Sequence, residues 1–188
     1  MKPFLLFSYF FVTSNFLFAQ TPSPCSTEGH RQFDFWVGEW EVYDTKGDTL
    51  VGHNHIKRII KDCVIEENWT GSTGFVGKSF NTYNSVDSTW NQVWVDQSGA
   101  TYHFSGKYQD NVMALKGSFT GKQGTAFFKL TFYHHPKNNT VQQVWEMSQD
   151  NQATWSTIFD GTYKRPLSKK DLSRFNFFKS RNITWPFL

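Results

Sequence analysis

The chain has 188 residues, 19 of them basic and 16 acidic, and aromatic residues make up 19% of it. Seven basic residues against one acid, Asp171, fall between Lys164 and Arg181, so the positive balance belongs to the tail. Outside that tail, and without Lys2, 11 basic face 15 acidic residues. A nucleic-acid-binding body needs basic residues spread over an aromatic-bearing surface, and this body lacks them.

Residues 1–19 combine an early charge (Lys2), an apolar run from Phe4 to Phe18 and a small residue, Ala19. This is the pattern of a secretory signal peptide, and the run is shorter than the ~20 apolar residues of a membrane span. No second apolar run follows, so no membrane span is expected in a secreted or periplasmic protein. About 168 residues then remain, enough for one domain with a sizeable core. Cys25 and Cys63 enter an oxidising compartment together, which predicts one disulfide, two unpaired thiols being the alternative. Residues 20–32 read as an N-terminal linker.

From Trp36 onward, extended segments rich in β-branched and aromatic residues alternate with short Gly, Asn, Asp and Ser clusters, the hairpin signature. The predicted strands are 36–43, 49–59, 63–70, 75–84, 90–96, 100–107, 112–120, 125–135, 140–148 and 153–164. Connections of about two to five residues make neighbours antiparallel, because parallel crossovers need about a dozen or more. An open ten-stranded meander leaves two bare edges, and closure removes them. The predicted fold is therefore all-β: a single antiparallel up-and-down β-barrel of about ten strands over residues 33–165. Residues 166–188 form a basic C-terminal tail or short helix, with Ser168 as N-cap and Leu172 and Phe175 on one face.

Both faces of several strands are apolar, so alternation alone does not name the interior. Trp90, Gln92 and Trp94 share one face, as do Gln143, Trp145 and Met147. An inner face mixing aromatics with amides and a carboxylate suits an apolar ligand with a polar head.

Two resemblances bear on the fold. Gly38-Glu39-Trp40 resembles the G-x-W signature of lipocalins. There a helical turn precedes the glycine, the tryptophan seals one barrel end and an arginine near the last strand packs across it. The resemblance thus implies structural roles for Gly38, Trp40 and Arg165. A wider resemblance rests on Phe33-Asp34-Phe35-Trp36-Val37-Gly38-Glu39-Trp40, Cys63-Val64-Ile65-Glu66-Glu67-Asn68-Trp69, Gly77-Lys78-Ser79-Phe80-Asn81 and Trp90-Asn91-Gln92-Val93-Trp94-Val95-Asp96. Together with Trp145-Glu146 and Trp155, these segments are similar to a family of secreted bacterial proteins of unknown function. That resemblance implies a lipocalin-like (calycin-like) barrel and no catalytic residue.

Glu67 shares a strand face with Ile65 and Trp69, whereas Glu66 points the other way. An inward Glu67 among aromatics has its ionised form disfavoured, which makes it a candidate acid or base. The plainer reading is that it bonds Asn81 or Gln92 and organises the interior. His53 and His55 lie on one strand face at a spacing open to metal ligation, needing a third ligand such as Glu67 or His103. Exposed strand histidines are the commoner case, so no metal and no cofactor are expected. No nucleophile elbow or phosphate-binding glycine loop is present.

The expected function is binding of a small hydrophobic or amphipathic ligand. Trp36, Trp69, Trp94 and Trp145 would form the walls, and Glu67, Asn81, Gln92 and Glu146 would fix the head. The alternatives are a cofactor-independent isomerase or hydrolase using Glu67, and an envelope or partner-binding module with a filled barrel. The oligomeric state is left open.

Overall fold

The computed structural model describes residues 24–122 and 124–168. The expected signal peptide, and the expected helix beyond Ser168, lie outside the described residues. Ten strands follow one another: β1 (Gly38–Asp44), β2 (Leu50–Ile59), β3 (Val64–Gly71), β4 (Val76–Asn84), β5 (Thr89–Asp96), β6 (Thr101–Gln109), β7 (Val112–Gly121), β8 (Gly124–His135), β9 (Thr140–Ser148) and β10 (Ser156–Lys164). Each pairs antiparallel with its sequence neighbour, and β1 pairs with β10 through Val42 opposite Tyr163, so the sheet closes into a barrel. No strand edge is left for another chain to extend.

Local chemistry explains the meander. The β6–β7 connection is two residues, Asp110 and Asn111, both at positive φ (51° and 65°). A primed hairpin turn needs that conformation at both central positions, and Asp and Asn tolerate it best after glycine. Irregularities between Val42 and Tyr43 and between Thr157 and Phe159 shift the register on either side of the β1–β10 seam. Such bulges bend a strand and increase its twist, which closure requires.

One end of the barrel is plugged by the segment before β1. A short helix, α1 (Glu28–Arg31), and a 3₁₀ turn, Asp34–Trp36, lead into Gly38. Trp36 therefore belongs to the turn that caps the barrel, and the first strand begins at Gly38 and not at the predicted residue 36. Phe33 stacks on Trp36 (centroids 4.9 Å apart) and meets Trp90 and Phe132 edge-on, at 5.5 and 5.1 Å. These edge-to-face arrangements suit the ring quadrupoles. Trp40 donates its indole N–H to the Trp36 carbonyl at 2.7 Å, tying the first strand to the turn. Arg165 lies over the Trp40 ring at 3.5 Å and donates to the Val37 carbonyl at 3.0 Å.

The segment expected to be a linker is fastened at the same end. Cys25 and Cys63 form a disulfide that joins it to the β2–β3 turn. The Arg58 guanidinium pairs with Asp34 and donates to the Asp62 carbonyl at 3.1 Å, bracing the plug against that turn.

Candidate functional site

The side chains that face inward follow from strand parity and register. On β3 they are Ile65, Glu67 and Trp69; on β5, Trp90, Gln92 and Trp94; on β9, Val141, Gln143, Trp145 and Met147. Near the plug they pack solidly. Toward the opposite end a cavity of about 330 Å³ opens, within the ~300–1,000 Å³ range of small-molecule sites. Trp69, Trp94, Trp145, Phe104, Leu130 and Phe159 form its walls, with Glu67, Gln92, Gln143 and Tyr163 among the polar residues that line it. Thr73 and Phe75 from the β3–β4 turn, and Ile158 from β10, stand at the mouth.

Two glycines let the indoles lie against the wall. A Cβ on Gly77 would meet the Trp94 ring at 2.3 Å, and one on Gly52 would meet Trp69 at 2.6 Å. Any larger residue at either position pushes an indole into the cavity.

Glu67 is only 4% exposed yet reaches the cavity floor. It stands opposite Ile56 on β2 and Ser79 on β4. Its Oε1 accepts from Asn54 Nδ2 and its Oε2 from the Ser79 hydroxyl, both at 2.6 Å. Asn81 donates to Ser79 Oγ (2.9 Å) and to the Ile65 carbonyl (3.0 Å), and Gln92 donates to Asn81 Oδ1 at 2.7 Å. A continuous polar chain thus runs across β2, β3, β4 and β5. On the far wall, the Tyr163 hydroxyl donates to Gln143 Oε1, and Asn54 Nδ2 approaches Tyr163 at 3.4 Å.

Burial pushes the Glu67 carboxyl up to about 7, while the Ser79 and Asn54 hydrogen bonds pull the other way. Desolvation penalises the charged form, and among the described residues no neighbouring cation offsets it. Burial likewise raises the Tyr163 phenol, with the Glu67 carboxyl adding to the rise. Glu66, one residue earlier, is on the outer face, where it accepts from Lys78 at 3.4 Å and Asn68 at 3.1 Å.

Several candidate residues stand elsewhere. Trp36 is wholly buried in the plug and does not line the cavity. Glu146 alternates with Trp145 and so takes the outer face, opposite Lys129 on β8 and Thr157 on β10; it cannot fix a ligand head inside. Asn81 is buried within the polar chain and acts on the cavity only through Ser79 and Gln92. His53 and His55 are exposed on the outer face of β2. Among the described residues no group of three or more His, Cys, Asp or Glu comes together as a metal site.

Asn54, Ser79 and Tyr163 escaped the sequence reading as site residues, and Gln143 was set on the face of Trp145 without being given a role. Asn54 lies between the two histidines that drew attention, and its parity with Ile56 was the available signal. Linking it to Glu67 needs the β2–β3 register, which one sequence does not state.

No family model matches the chain, and no curated protein matches it. The functional reading therefore rests on the geometry.

Proposed function

We propose that this protein is a secreted or periplasmic, lipocalin-like binding protein that holds a small, largely apolar molecule by a polar head inside its barrel. The observation that carries the reading is the cavity itself: aromatic walls open at one end and polar at the floor. Ligand sites combine a mostly apolar lining with a few placed polar groups in this way. The floor has capacity to spare. Among the described residues the Gln92 carbonyl oxygen, the Gln143 amide NH₂ and the Trp145 indole N–H have no protein partner. The compartment is supported by the disulfide, and among the described residues no helix is long and apolar enough to cross a membrane. The kinship with secreted bacterial proteins bearing the Phe33–Trp40 motif is part of the same proposal.

Titration of native tryptophan fluorescence with small aryl-alkyl compounds tests it, since three tryptophans line the cavity. Glu67→Ala should weaken binding, and Glu66→Ala should leave it unchanged. Equal effects of the two substitutions would refute the site.

A second reading is favoured by the place of Glu67, buried at the floor of an open cavity, where burial pushes its carboxyl up to about 7. A group titrating near the working pH can both give and take a proton, so the same site can serve a cofactor-independent isomerase or hydrolase. Turnover would then follow a pH profile that vanishes in Glu67→Gln while substrate affinity persists.

A further inference from the structure

We propose that the head held at the cavity floor is a protonated amine, so that the preferred ligand is a small organic cation with an aromatic or aliphatic body. This rests on the binding function above and specifies the charge of its ligand.

The lining decides the sign. Among the described residues that line the cavity two ionise, Glu67 and Tyr163, and both are acids; no lysine, arginine or histidine is among them. A carboxylate or phosphate head would find no counter-charge among the described lining residues and face Glu67 directly, which like-charge repulsion and desolvation both oppose. An ammonium head meets the opposite situation. Among the described residues Glu67 has two hydrogen-bonded neighbours, Asn54 and Ser79, but no cation; an incoming amine supplies one.

Hydrogen-bonding capacity points the same way. Each carboxylate oxygen of Glu67 accepts one bond and has room for another. Among the residues that line the cavity the Gln92 carbonyl oxygen is also open. Around Glu67 itself the unused groups are acceptors, which call for a donor, and an ammonium group carries only donors; the spare donors of Gln143 and Trp145 belong to β9.

The walls suit the same ligand. Trp69 follows Glu67 on the same face of β3, and Trp94 stands opposite Ser79, so two indoles flank the carboxylate on the mouth side. Aromatic faces attract a desolvated cation through their quadrupoles, tryptophan most strongly. The cavity of about 330 Å³ restricts the body to a small one.

Among the described residues the elements packed around Glu67 turn no charged side chain toward it. β2 presents Asn54 and Ile56, β4 presents Ser79 and Asn81, and β10 presents Tyr163. His53 and His55 point outward. Glu67 is thus the group whose titration the amine reads.

The test uses three probes with one body, 3-phenylpropylamine, 3-phenylpropanol and 3-phenylpropanoate, titrated calorimetrically into the folded, disulfide-intact protein at pH 8. The amine should bind at least about 30-fold more tightly than the alcohol, with the carboxylate weakest. Glu67→Gln should erase the amine's advantage while alcohol binding persists, which shows that the variant is folded with its cavity intact. From pH 8 to pH 5.5, amine affinity should fall about 30-fold as Glu67 takes up a proton, with little change for the alcohol. Alcohol binding equal to amine binding, or carboxylate binding tightest, overturns the amine assignment and leaves the binding function standing. Failure of all three probes to bind at millimolar concentration sinks both.

Discussion

Ser79 stands opposite Glu67 across the β3–β4 ladder and donates its hydroxyl to Glu67 Oε2 at 2.6 Å, while receiving the Asn81 amide at 2.9 Å. One hydroxyl therefore serves two buried partners. Ser79→Ala leaves a carboxylate oxygen and an amide donor each short of a bond, at a cost of about 1–3 kcal/mol. The loss should be larger at pH 8, where Glu67 is ionised, than at pH 5, as read by urea denaturation at both values.

Glu67 also makes stability depend on pH, with a definite sign. Its carboxyl titrates at about 7 in the folded protein and at the ordinary 4.5 when unfolded. Between those values the folded state keeps a proton that the unfolded chain has lost. This group's contribution to stability is therefore greatest below pH 4.5, falls as pH rises to 7 and then levels off. Glu67→Gln removes that fall. Relative to wild type, the variant should gain about 2–3 kcal/mol between pH 5 and pH 8. A constant difference across that range would show that Glu67 titrates normally.

At the plugged end, Arg165 combines a face-on contact with Trp40 and a hydrogen bond to Val37. Arg165→Ala should cost about 1–3 kcal/mol, and Arg165→Lys should recover little, because an ammonium lacks the planar fork that makes both contacts. Gly38→Ala attacks the same place from the other side. Gly38 has φ +128°, and an added Cβ would lie 2.0 Å from the Arg165 guanidinium. Denaturation midpoints of the three variants check both statements.

The disulfide closes a loop with a sequence separation of 38. Its reduction should cost about 3–4 kcal/mol by loop-closure entropy. The cavity is at the other end, so probe affinity should survive reduction wherever the protein remains folded. Parallel urea and fluorescence titrations with and without reductant measure the two effects.

Much of the architecture was legible because hairpins announce themselves locally. Asp110-Asn111 and the Gly, Asn and Asp clusters mark the reversals, and ten short-linked strands leave closure as the way to satisfy their edges. The inward face was harder. Phe127 and Phe128, or Val93 and Trp94, are apolar on both sides of the sheet, so alternation is mute there. At Glu66-Glu67 parity set the two carboxylates on opposite faces, and the structure places them so. The Asn54–Glu67–Ser79 contacts depend on which residues face one another across two ladders, information held by the assembled sheet. The first strand was started two residues early because Trp36 is aromatic like the strand residues that follow, while in the structure it ends the 3₁₀ turn, stacked on Phe33 and tilted against Phe132.

The plug gathers both flanks of the barrel at one pole. Cys25 is bound to the turn after β2, and Arg165, just past β10, rests on Val37 and Trp40. Cys25 and Arg165 thus both stand at the pole remote from the mouth. A copy immobilised on a bead through either flank should present its opening to bulk solution, so capture of a soluble ligand will be equally fast whichever flank is tethered.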